Sequence, residues 1–200
     1  MIHKRNQPIG TLELWERYAG PKSAIQWQDG RSAKECAKAW LGTGDSGSIP
    51  AEILQVFRSH DDFGELQSWT AEPECQVPID AYSGPANIDV LINADDGRGP
   101  IAIEVEAKAD EPFGRLLGDE YCASLERRLK SAGSNGVNCL VELSTSVLPP
   151  VTGRVPGTQL LRYQLLTATA AALSHARAMD ASRAVVIVHE FRTNRTDPDI

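Results

Sequence analysis

Two carboxylates and an amine stand out near the middle of the 200-residue chain: Asp89, then sixteen residues, then Glu106-Ala107-Lys108. Two apolar runs, Ile88-Asp-Val-Leu-Ile-Asn93 and Ile101-Ala-Ile-Glu-Val-Glu-Ala-Lys108, flank Asp95-Asp-Gly-Arg-Gly99, the pattern of two strands joined by a turn. Residues two apart on a strand share a face, so Glu104, Glu106 and Lys108 project together while Ile103, Val105 and Ala107 face the other way. A hairpin centred near Gly97 pairs residues whose numbers sum to about 194 or 195, which sets Asp89 across from Glu106 or its neighbour. Opposed residues in antiparallel strands have Cβ atoms about 4.5–5.5 Å apart.

Like charges at that distance disfavour ionisation, and burial adds to the conflict. A divalent cation resolves it. Oxygen ligands with no His or Cys among them suit Mg²⁺, with Mn²⁺ as a substitute, and Mg²⁺ completes its shell with water and substrate phosphate. The predicted substrate is therefore a phosphate ester. Lys108 stands where it can position the attacking water and offset charge on phosphorus. Zinc is not expected, because His3, His60, His175 and His189 and Cys36, Cys75, Cys122 and Cys139 are scattered without ligand spacing. The cysteines read as ordinary buried thiols.

These groups need a framework, and the length and the 42% apolar content suit one domain over residues 1–200. No apolar run approaches the roughly 20 residues of a membrane span. The N-terminal basic residues precede no apolar stretch, so the expected location is the cytoplasm. Residues 1–111 hold 10 Lys/Arg against 19 Asp/Glu, and residues 112–200 hold 10 against 8. An acidic chain is not a generic nucleic-acid binder, because Lys and Arg supply most non-specific affinity for phosphate. Any action on nucleic acid must come from local charge and a metal.

Residues 1–30, with Trp15, Tyr18 and Trp27 among Gly and Pro, read as irregular. Helical spacing covers Ala33 to Leu41, and Ser48-Ile-Pro50 opens a short helix with Ile53, Leu54 and Phe57 on one side. Val77 and Ile79 mark a first strand, before the hairpin. A helix follows over 116–130, a strand-like run over 137–143, and a Pro/Gly-rich loop over 148–157. Thr158 is placed to cap a long helix with a stripe of Leu161, Leu165, Ala168, Ala172, Ala176 and Met179. A last, doubly covered strand spans 184–188, before a frayed tail from Arg192. The expectation is an α/β layer fold with about five strands in a mixed central sheet, its core over 31–191.

On these residues the chain resembles the PD-(D/E)XK nuclease superfamily, of restriction-endonuclease-like fold. Asp89 and Glu106-Ala107-Lys108 match the signature in spacing and context. The segments Pro73-Glu74, Val105–Lys108, Asp110-Glu-Pro-Phe-Gly114, Arg162-Tyr-Gln-Leu-Leu166 and Val188-His-Glu-Phe191 are similar to a poorly characterised bacterial branch of it. The resemblance implies that Asp89 and Glu106 bind the metal with the Ala107 backbone carbonyl, and that Lys108 is the catalytic lysine. Gln164 and Tyr163 are similar to helix-borne residues that some members place near the active site. Three departures stand out: the signature proline is displaced to Pro85, Ala107 replaces a glycine, and Thr167 replaces a histidine. The implied activity is Mg²⁺-dependent hydrolysis of nucleic acid, DNA before RNA, by in-line attack of water on a phosphodiester. Many such enzymes act as a homodimer.

Other readings fit the same residues. The charged strand face is also what a solvated hairpin with paired charges would show. Glu74 is an auxiliary ligand from the first strand or a strand-edge charge. Glu104 reads as an outlying carboxylate, and Glu35 or Glu52 as a helix-borne one. Gln164 faces a cleft or solvent. Arg162 touches phosphate or pairs with an acid. The cluster Arg127-Arg128-Lys130 fits a solvated helix face near a C-terminus. His175 and His189 read as packing or capping residues. Gly42-Thr-Gly-Asp-Ser-Gly47 matches a dinucleotide loop in letters only, since a helix, not a strand, precedes it. At the level of the whole protein, the alternatives are a non-catalytic nuclease-fold module that binds nucleic acid or protein, and a carboxylate-pair hydrolase using Glu104 or Glu106 with Asp89.

Overall fold

The computed structural model describes residues 1–42, 47–82, 84–149 and 157–196. Two short strands, β1 (His3–Lys4) and β2 (Gln7–Pro8), form a small hairpin, and α1 (Leu12–Ala19), α2 (Ser32–Leu41) and α3 (Ala51–Arg58) follow. The central sheet has four strands in the order β3 (Ser68–Val77), β4 (Ala86–Asp95), β5 (Pro100–Lys108) and β6 (Arg183–Glu190). The first three are antiparallel neighbours, and β6 joins β5 in parallel. Between β5 and β6 run α4 (Leu117–Lys130), α5 (Gly136–Val147), a 3₁₀ turn (Thr158–Leu160) and α6 (Tyr163–Ala178). This long excursion is what a parallel crossover requires.

Strand β5 shows why the sheet is layered. Ile101, Ile103, Val105 and Ala107 point into a core shared with Trp15, Trp40, Ile53 and Phe57 from α1–α3. Trp40 and most of these side chains are almost fully buried, each stabilising by about 1.5–3 kcal/mol through burial. The other face meets α6, where Ala171 packs on Leu91 and Ile88. A second cluster on that side joins Leu117, Leu140, Leu143, Leu166 and Ala170 of α4, α5 and α6. The alternation expected along 101–108 therefore holds, with the whole charged set on the α6 side of a strand covered on both faces.

The hairpin has the expected register, with Val90 opposite Val105 and Asp95 opposite Pro100. Its turn is made by side chains: Asp95 Oδ1 accepts from the Gly97 N–H at 2.7 Å, and Asp96 Oδ1 from the Arg98 N–H at 3.0 Å. Gly97 has φ 80°, a conformation that glycine adopts without strain. Asp96 is also gripped by the Arg183 fork through two 2.6 Å bonds, which ties the hairpin to the start of β6.

Several expectations need correction. The sheet has four strands, not about five, because 137–143 lies in α5. A short apolar run has no decisive period, and Leu140 and Leu143 are buried three residues apart, as on a helix. Residues 1–30 are not irregular throughout, since Thr11 caps α1 by accepting from the Leu14 N–H at 3.3 Å, and Trp15 and Ala19 bury its inner face. Strand β3 begins at Ser68, before Glu74, where the strand pattern sets in, and ends at Val77, short of Ile79; it accommodates Pro73 because it is an edge strand. Thr158 starts only a 3₁₀ turn, and α6 begins at Tyr163 after extended Leu161 and Arg162. Leu161 is exposed, and Leu166, Ala170 and Ala171 join Ala168, Ala172 and Ala176 as buried residues of α6. Of the four cysteines, all free, only Cys36 is buried; Cys75 and Cys139 are half-buried and Cys122 is exposed. The tail is held as far as Thr196, whose Oγ1 donates to the Ala109 carbonyl at 3.0 Å. The centre of the Gly42–Gly47 motif, most of the 148–157 loop, and residues 197–200 lie outside the described residues.

Candidate active site

The charged end of β5 is the chemical focus. Glu104, Glu106 and Lys108 are 0%, 3% and 6% exposed, so this is no solvated face. The Lys108 ammonium donates to Glu106 Oε1 at 2.5 Å and lies 5.4 Å from the centre of the Phe113 ring. Gln164, on the first turn of α6, donates from Nε2 to the same Glu106 oxygen. Gln164 is half-buried, with its amide turned to β5 rather than to solvent. Arg162 does not point at a charge: its guanidinium donates to the Gly114 carbonyl at 3.0 Å, pinning the 110–116 loop beside Gln164. The backbone of that loop is fixed as well, through Tyr163 N to Arg115 O at 3.0 Å and Leu117 N to Leu161 O at 2.7 Å.

Asp89 reaches this focus by an irregularity. Ile88 and Leu91 pack in one cluster although they are three residues apart, so the side-chain alternation of β4 breaks between them. Across on β3, Glu74 has φ 49°, a conformation uncommon for a residue with a side chain and one that costs about 1–3 kcal/mol. The two residues fall between the pairs Pro73–Val90 and Cys75–Ile88. The Asp89 carboxylate turns toward β5 and accepts from the Ala107 N–H at 2.7 Å. Asp89 thus abuts the backbone between Glu106 and Lys108, as the hairpin arithmetic predicts, by way of a kink that it does not predict. The Lys4 ammonium clamps the kink, donating to the Glu74 carbonyl at 2.7 Å and pairing with Glu72 at 3.1 Å.

Burial and mutual repulsion dominate the electrostatics. Glu104 is pushed up to about 8, first by burial and then by the Glu106 and Asp89 charges. Asp89 is raised well above the carboxylate range by burial and by Glu106, against the pull of the Ala107 N–H and Lys108. Glu106 is raised by burial, with Lys108 opposing, and Glu74 is raised by burial, with Lys4 opposing. The Cys36 thiol of α2 is pushed up by burial and by the nearby acids Asp89, Glu74 and Glu106. Both Glu104 oxygens are buried without a hydrogen-bond partner among the described residues. Two ammoniums, Lys108 and Lys4, therefore serve a group of carboxylates that together need more positive charge. Among the described residues, no three His, Cys, Asp or Glu side chains form a ready-made cage for a metal. The oxygen-only donor set and its charge deficit are what a hard divalent cation offsets, and Asp89 and Glu106 are the residues that could hold one.

Asp89 and Glu74 open onto a cleft of about 510 Å³ whose other walls carry Lys22, Arg31 and Glu111. Of these wall residues, the sequence points to Asp89 and Glu74, and to Glu111 only as part of the 110–114 segment; Lys22 sits in the aromatic, Gly- and Pro-containing segment that carries no motif, and Arg31 just before α2. The remaining candidates lie elsewhere. Glu35 accepts from the Gly30 N–H at 2.7 Å and from Lys38 at 2.8 Å, stabilising the turn before α2. Glu52 faces His189 Nε2 at 3.0 Å, and His175 Nε2 sits 2.5 Å from Asn93 Oδ1. Arg127 pairs with Glu120 at 2.6 Å, and Arg128 donates to the Ser134 carbonyl at 3.0 Å, so that basic cluster is largely engaged in its own helix and the turn after it. Among the described residues, no helix is long and apolar enough to cross a membrane.

Fold and site together define an α/β protein with an acidic, lysine-bearing cluster at the end of its central strands. The chain belongs to the DUF6946 family, a domain of unknown function whose model matches residues 8–198. No curated protein and no solved structure matches it.

Proposed function

We propose that this protein is a Mg²⁺-dependent phosphodiesterase acting on nucleic acid, DNA in preference to RNA, built on a restriction-endonuclease-like core. The observation that carries the reading is that Asp89 from β4 accepts from the Ala107 N–H on β5, while Lys108 and Gln164 both donate to the neighbouring Glu106 carboxylate. The mixed four-stranded sheet, with helices before it and between its parallel strands, also supports the reading. Asp89 and Glu106 hold the cation, with Glu74 beside them on the cleft wall. Mn²⁺ is expected to substitute. When bound, Mg²⁺ supplies charge neutralisation at the phosphate and a nucleophile at neutral pH.

The chain's own groups do the rest. Lys108, aimed by Glu106 and backed by Phe113, donates to the phosphate oxygens as charge builds on them. Gln164 fixes the Glu106 carboxylate and so keeps Lys108 at the cleft end of the strand. The Ala107 N–H holds Asp89 in its turned position. The resting Lys108–Glu106 pair also favours a second reading, a non-catalytic module of the same fold, because that pair already occupies the acid most needed for metal. Incubating the purified chain with linear and supercoiled DNA in Mg²⁺ or EDTA separates the two. Cleavage in Mg²⁺ that Asp89→Ala removes supports the enzyme, and intact DNA supports the module.

A further inference from the structure

The cleft beside Asp89 holds two cations that the catalytic assignment leaves unused, Lys22 and Arg31. Lys22 is exposed and makes no ion pair among the described residues. Arg31 donates from Nη1 to Asp110 Oδ2 at 2.8 Å, while its Nε and the other Asp110 oxygen are buried without a partner. The guanidinium is therefore only partly satisfied, next to a cavity. The segment that carries it is well anchored: Thr193 Oγ1 donates to the Gly30 carbonyl at 3.3 Å, and Arg195 donates to Gln28 Oε1 at 3.1 Å. Opposite stand Glu74, Asp89 and Glu111, so acids outnumber bases on the cleft wall. With its carboxylates ionised, such a wall repels a polyanion, and a cation held by those carboxylates removes the repulsion.

Resting on the nuclease reading, we propose that Lys22 and Arg31 are the phosphate-backbone contacts of the cleft, and that a nucleic-acid strand enters only together with a divalent cation. The cation offsets the acidic wall. Lys22 then supplies a mobile point charge, and Arg31 a planar fork matched to phosphate oxygens. This places the strand between the 20–33 segment and the ends of β3 and β4, and gives an acidic chain its local route to DNA.

The test is fluorescence anisotropy of a fluorescein-labelled DNA duplex at several salt concentrations, with Ca²⁺ in place of Mg²⁺ to hold back cleavage. Mn²⁺ affinity is measured in parallel by calorimetry. Wild type should bind in Ca²⁺ and far more weakly in EDTA. Lys22→Ala should weaken binding about tenfold, the loss expected for one charge-assisted phosphate contact. It should also make the plot of log K against log salt shallower by about 0.9. Arg31→Lys, which keeps the charge but loses the fork, should weaken binding too, and Mn²⁺ affinity should not change in Lys22→Ala. Wild-type affinity and salt slope in both variants would overturn the assignment while leaving the nuclease reading intact. Equal binding in Ca²⁺ and EDTA would overturn the coupling to the cation. A wild-type chain that takes Mn²⁺ but no duplex under either condition would remove the nuclease reading as well.

Discussion

Glu104→Gln is the most informative perturbation of the cluster, because glutamine reproduces the shape and polarity of a protonated glutamate and cannot ionise. Glu104 is fully buried and both its oxygens lack partners among the described residues, and its carboxyl is raised from 4.5 to about 8. A raised acid keeps its proton in the folded state at pH values where the unfolded chain has already released it. Its contribution to stability is thus complete below pH 4.5 and is lost as pH climbs towards 8. One such proton changes stability by about 1.4 kcal/mol per pH unit, so between pH 4.5 and 7 the loss reaches about 3 kcal/mol. Urea unfolding of wild type and Glu104→Gln at pH 5, 6, 7 and 8, without divalent cations, reads this directly. The two should differ by less than about 1 kcal/mol at pH 5, and the variant should become the more stable by about 3 kcal/mol at pH 7. Parallel pH curves would show that Glu104 ionises normally and would refute the electrostatic description of the site.

Other outcomes follow from the same geometry. Asp89→Ala and Lys108→Ala should each abolish Mg²⁺-dependent DNA cleavage while the far-ultraviolet circular dichroism stays native, and full activity in either variant defeats the assignment. Millimolar Mn²⁺ at pH 7.5 should raise the thermal midpoint of wild type, since a ligand of the folded state stabilises it by mass action, and should leave Asp89→Asn unchanged. Asp96→Asn should lower the thermal midpoint and make the hairpin amides exchange faster by NMR, because it takes the anion from the Arg183 fork that joins the β4–β5 turn to β6.

What the sequence made legible, and what it did not, follows from the range of each interaction. The β4–β5 hairpin was readable because its register depends only on a local turn and an alternating pattern, and Val90 opposite Val105 follows from that arithmetic. The face shared by Glu104, Glu106 and Lys108 followed from strand period alone. Their burial did not, since it depends on α6, which returns to the sheet more than 50 residues later. The kink at Glu74 and Asp89 has no signal in either residue type and is visible only once Lys4, Ala107 and the two strands are assembled. The run 137–143 reads equally as a buried strand or a helix, and contacts with Leu117 and Leu166 decide for the helix. Helix period sets Gln164 at the edge of the apolar stripe of α6, but its partner Glu106 lies 58 residues away, beyond the reach of helix periodicity.

The central claim is that Asp89 and Glu106 share a cation beside Lys108. Crystals soaked in Mn²⁺ and recorded at the manganese absorption edge test it without reference to turnover. The account predicts an anomalous peak within coordinating distance of both carboxylates. A peak bound by other residues, or none at millimolar Mn²⁺, contradicts it.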